Sequence, residues 1–150
     1  MNETSKINNF TIALFNANEL VNTISIIPTN LIDLNKENIY PLVNVEMLTA
    51  DVQPDVIVFD FRITVVQQRD VRPIKTDSKL LSDSNYLDNI NETLSIAQRF
   101  INVLTRQNND YEIEIVNQSN VDFLKEWRGS MLDGVQFTIE LSIPNEDTSC

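Results

Sequence analysis

The sequence has no histidine, only two glycines, and a single cysteine at its last position, Cys150. Without histidine there is no imidazole to serve as the base of a nucleophilic triad. With one terminal thiol there is neither a His/Cys zinc site nor an intrachain disulfide. Two glycines supply no Gly-rich loop to cradle phosphate, and the Asp-x-Asn/Asp-x-Asn/Asp-Gly spacing of a calcium loop is absent. No apolar run approaches the ~20 residues of a bilayer span. The opening MNETSKINNF lacks the basic-then-apolar order of a secretory signal. These absences predict a protein made in a cytoplasm, with no cofactor, no bound metal, no membrane partner and no catalysis.

Bases are also scarce. Eleven Lys and Arg stand against 22 Asp and Glu, for a formal net charge of -11, and no long run of like charge gathers the excess into a tail. A folded surface must therefore carry it, and such a surface repels nucleic-acid phosphates and anionic membranes. The remaining numbers are those of an ordinary folded chain. A length of 150 residues with 42% hydrophobic content suits one domain, 1–150, with a continuous core.

The strongest pattern lies in residues 55–67, DVIVFDFRITVVQ. Read as a strand, it puts Ile57, Phe59, Phe61, Ile63 and Val65 on one wholly apolar face, and Val56, Val58, Asp60, Arg62, Thr64 and Val66 on the other. Asp60 and Arg62 are two apart on the mixed face, a spacing for a structural ion pair or a contact with a neighbour. Residues 40–48 alternate in the same way, with Pro41 near their start, and form a long antiparallel hairpin with this strand. In residues 5–27, Ile7, Phe10, Leu14, Ala17, Val21 and Ile24 recur at helical steps, with Thr4 or Ser5 as N-cap and Pro28 beyond the end. Residues 84–107 give the clearest helix, with Leu87, Ile90, Leu94, Ala97, Ile101 and Leu104 in one stripe and Ser84 as N-cap. Asp88 in its first turn and Arg106 in its last suit the helix dipole. This helix is expected to cover the face of Ile57, Phe59, Phe61 and Ile63.

Residues 111–117 read as a half-exposed strand with Glu112 and Glu114 outward. A short packed segment around Trp127 follows, then Asp133-Gly134 as a turn, and residues 135–143 as a cleanly alternating last strand stopped by Pro144. The expected fold is therefore α+β, a mainly antiparallel four-stranded sheet with helices on one face, in the order α-β-β-α-β-β. A cluster of bases follows the organising strand: Arg69, Arg72, Lys75 and Lys79, with Pro73 preventing a regular helix. Arg69, Arg72 and Lys75 are candidate subunit-interface residues, able to reach an acidic surface on a neighbouring copy. Trp127 and Arg128, an aromatic next to a base, are the other interface candidates.

The helix, the long hairpin of residues 40–67, the helix after Ser84, and the Trp127 segment with Asp133-Gly134 before a terminal alternating strand together resemble the tail-terminator and head-to-tail joining proteins of tailed bacteriophages. That resemblance implies a virion protein of the neck or tail, assembled as a homo-oligomeric ring of six or twelve copies. Its neighbours would be other phage neck, portal and tail proteins, and DNA would pass through the lumen without specific binding. It carries over no catalytic residue. The competing class is a dimeric chaperone of the type III secretion kind, which wraps an unfolded effector segment; such chaperones usually close on a helix, whereas this chain closes on a strand.

Overall fold

The computed structural model describes residues 2–28, 40–69, 85–106 and 112–145. Their elements are α1 (Glu3–Asn16), β1 (Thr23–Ser25), β2 (Leu42–Val52), β3 (Val56–Gln68), α2 (Tyr86–Arg106), β4 (Glu114–Gln118), β5 (Asp122–Leu124), a 3-10 turn (Trp127–Gly129) and β6 (Leu132–Pro144). They build one six-stranded mixed sheet in the order β1-β2-β3-β6-β4, with β5 also on β6. β3 and β6 form its spine. They run antiparallel in register over thirteen residues each, from Val56 opposite Pro144 to Gln68 opposite Leu132.

The four-stranded antiparallel sheet expected from the sequence is thereby corrected at both edges. β1 adds a parallel pair, with Thr23 opposite Leu42 and Ser25 opposite Asn44. The sequence assigned these residues to the first helix because Val21 and Ile24 extend its three-and-four spacing. The chain leaves the helix earlier: Ala17 is the C-cap, and the Asn18 side chain accepts from the Leu20 N–H at 3.0 Å, a local turn that competes with helix. Beyond it, Thr23, Ile24, Ile26 and Ile27 are β-branched and favour extended backbone. At the other edge, β4 and β5 are two short pieces paired to successive parts of β6, Glu114 opposite Ser142 and Asp122 opposite Gln136. Asp133-Gly134 is not a turn either, since both residues lie inside β6 opposite Gln67 and Val66. The reversal comes earlier, at the 3-10 turn. The N-cap of α1 is Asn2, whose side chain accepts from the Ser5 N–H at 2.9 Å.

Both helices pack on the same sheet face. Phe59, Phe61, Ile63 and Val65 of β3 join Val135, Phe137, Ile139 and Leu141 of β6 in a layer covered by Ile7 and Phe15 of α1 and by Ile96, Ala97, Phe100 and Leu104 of α2. Phe15 and Phe100 stack at 4.3 Å between centroids and so join the two helices. The Thr93 hydroxyl, buried beside this core, is satisfied within its own helix, donating to the Asn89 carbonyl at 2.8 Å.

Candidate interaction surfaces

Arg69 sits at the end of β3, and its charge is committed within its own chain. Its Nε and Nη2 donate to the two carboxylate oxygens of Asp133 at 2.8 and 2.6 Å, and its Nη1 donates to Glu126 at 2.9 Å. The arginine side chain is 7% exposed and that of Asp133 is fully buried. The hydrogen bond to Asp133 is the main cause that holds the guanidinium above the ordinary arginine range; Glu126 adds to it and burial works against it. The backbone follows the same path: Arg69 N–H donates to Met131 O at 2.7 Å, and Glu126 N–H donates to Asp133 at 3.1 Å. A bidentate pair of this kind fixes the end of β3 to the start of β6 and to the turn between β5 and β6. The Tyr86 ring at the start of α2 lies 5.6 Å from both the Arg69 guanidinium and the Lys125 ammonium. Arg72 and Lys75, the other two bases assigned to a neighbour, lie outside the described residues.

Trp127 is also turned inward. It is 9% exposed and packs with Leu42, Val66 and Leu132, flanked by Tyr40 and Leu124, in a second small core on the sheet face opposite the helices. Around it Glu126, Arg128 and Gly129 all have positive φ, at 50°, 55° and 71°. Only glycine adopts that region without cost, so the buried indole and the Arg69 clamp hold two non-glycine residues in an unfavourable backbone. The Arg128 guanidinium lies 5.5 Å from the Trp127 ring centroid.

The rest of that second face is mainly polar, and neither helix covers it. Val56, Val58, Asp60 and Arg62 of β3, with Thr138, Glu140 and Ser142 of β6, are half-buried along it. Register sets the charges. Glu46 of β2 stands opposite Arg62 and binds it at 3.4 Å, with the Arg62 side chain 39% exposed. Asp60 stands directly opposite Glu140 across the β3–β6 pair, like charge against like charge. One row further, Asp51 is opposite Val58 and Glu114 is opposite Ser142. The sequence signalled Asp60 and Arg62 through their spacing. The Asp60–Glu140 juxtaposition had no such signal, because it depends on a pairing register 80 positions apart in the chain.

On the far side of the domain, α2 presents a different charge. Ser95, Arg99, Asn102 and Arg106 are exposed and follow one another at steps of four, three and four, which is one helical face. After Glu92 this helix has no acid. The spacing was legible in the sequence, but the cluster at Arg69, Arg72 and Lys75 is the richer signal there and masks these arginines.

The described residues form a two-layer α+β fold, with both helices on one side of the sheet and charged side chains on the other. Among the described residues no group of three or more Asp, Glu, His or Cys is arranged to hold a metal ion, and no helix is long and apolar enough to cross a membrane. No protein-family model matches the chain, and no curated protein matches it in sequence.

Proposed function

We propose that this chain is a structural subunit of a ring in the neck or tail of a tailed bacteriophage, joining the portal side of the head to the tail and surrounding the DNA channel. The observation that carries this reading is the polar sheet face. A 13-residue strand pair, β3 and β6, exposes a row of paired polar and charged side chains that neither helix covers, in a chain of net charge -11. A domain with one such face, and with no catalytic constellation among its described residues, works by association. The acidic excess suits a wall along which DNA passes, since phosphate does not adhere to it. The likeness of the long hairpin, the helix after Ser84 and the alternating last strand to tail-terminator and head-to-tail joining proteins supports the same reading.

The test is localisation in particles. Antibody-gold labelling or cryo-electron microscopy of virions is expected to place the protein at the head–tail junction or tail end, in ring stoichiometry. Its absence from purified particles overturns the proposal.

A further inference from the structure

We infer that the sheet face that neither helix covers is the docking surface for the outer face of α2 in a second copy of this chain. The inference rests on the ring reading and names the contact that would build it.

The first ground is a set of charges that have no partner among the described residues. Among the described residues, no hydrogen bond or ion pair engages Arg99 or Arg106 on α2, nor Asp60, Glu114 or Glu140 on the sheet face. The bases that sequence clustering assigned to a neighbour begin with Arg69, which is already held by Asp133 and Glu126. Arg99 and Arg106 are on the helix layer, and Asp60, Glu114 and Glu140 are on the opposite side of the domain. Among the described residues, the strands of this face carry Glu46, Asp51, Asp60, Glu114 and Glu140 against Arg62.

The second ground is spacing. Arg99 and Arg106 are about 10.5 Å apart along the helix, at 1.5 Å per residue. On the sheet, Glu114 lies one strand across and one row along from Glu140, roughly 8 Å by strand geometry. One arginine can meet the Asp60–Glu140 pair while the other reaches Glu114. Val103, half-buried between the two arginines, then faces Val58, half-buried beside Asp60, and gives the contact an apolar centre.

The third ground is symmetry. A two-fold contact puts a surface against itself, which here sets carboxylates on carboxylates or arginines on arginines. Only the head-to-tail arrangement matches opposite charges, and repeated it closes a ring or grows a filament. It also gives the sheet helices on both faces, a common layered arrangement. The like charges of Asp60 and Glu140, unfavourable in an isolated copy, are neutralised in that contact.

Four versions of the full chain are to be compared by sedimentation velocity at about 0.15 M salt, where surface charge is partly screened: wild type, R99E/R106E, D60K/E140K, and the combination of all four changes. Wild type is expected to form a closed oligomer. Each double reversal should weaken self-association by about 100-fold or more, and the combined variant should recover most of it. Circular dichroism establishes that each variant is folded, and D60N/E140Q replaces the lysine pair if that one does not fold. Double reversals that assemble like wild type overturn the docking assignment and leave the ring reading standing. A wild type that stays monomeric at every concentration, or that stops at a two-fold dimer, overturns the assignment as well. The ring reading is decided separately, by whether purified particles contain the protein.

Discussion

The two faces of the central sheet are made from the same two strands and differ in almost every physical respect. On the helix side, Phe61, Ile63, Phe137 and Ile139 are at most 1% exposed and share one core with residues of both helices. On the other side, one residue along, Asp60, Arg62, Thr138 and Glu140 remain half-exposed, and two carboxylates are held opposite one another. Strand alternation makes this division possible: a period of two lets one segment be core and contact surface at once. Substitutions on the first face should act on folding, and substitutions on the second on contacts between copies.

The largest effect is expected on the covered face. Phe61 is fully buried at the centre of the main core, opposite Ile139. Phe61→Ala should cost about 3–5 kcal/mol, the lost transfer energy together with the cavity. Urea unfolding followed by circular dichroism measures it. An unchanged midpoint would mean that the two helices do not seal this layer.

Next comes the Arg69 clamp, which belongs to neither face but ties their shared strands together at one end. Arg69→Ala leaves the buried Asp133 carboxylate with only the Glu126 N–H among the described residues, and breaking a buried pair of this kind costs about 3 kcal/mol or more. Asp133→Asn in the same background should recover part of that loss, because the unpaired charge is gone. The guanidinium is held above its ordinary range, so its contribution is fully present below the unfolded arginine value and is lost only as pH rises through the raised value in the fold. The destabilisation from Arg69→Ala, read by thermal melts, should therefore be the same on either side of neutrality. A destabilisation that shrinks to nothing at pH 8 would contradict the clamp.

How much of this was legible follows from which interactions are local. The apolar row of β3, the alternation of β6 and the stripe of α2 are periodicities within one segment, and they led directly to the layer that Phe59, Phe61 and Ile63 form with α2. β1 carried no strand signal of its own, because Val21 and Ile24 continue the helical spacing, and the turn at Asn18 and pairing with β2 decide against the helix. Asp133-Gly134 carried a turn signature, yet its glycine serves another end: a Cβ there would lie 1.8 Å from the Val65 carbonyl oxygen, so the position admits no side chain. Arg69 shows the limit for sites. A cluster of bases in sequence says nothing about a carboxylate 64 residues away, and that carboxylate removed the arginine from the surface.

The smallest expected effect sharpens the comparison most, because it has opposite signs in the two measurements. Asp60 faces Glu140 with no hydrogen bond or ion pair to either carboxylate among the described residues. Directly opposed like charges destabilise a strand pair by about 0.2–1 kcal/mol, so Asp60→Asn, which removes one charge and keeps the shape, should stabilise the isolated subunit by that amount. Adding salt should shrink the gain, since the repulsion is partly exposed and screened. A core position behaves differently, for there a substitution this conservative brings no salt-dependent gain. If the pair is kept for contact with another copy, the same change should weaken self-association while it raises the melting temperature. The trade is then one of fold stability against a docking charge. Melts at low and high salt, set beside sedimentation of the same samples, read both signs. A variant that is destabilised at low salt would show that Asp60 has a stabilising role within its own sheet, and the division between a folding face and a contact face would not hold at this residue.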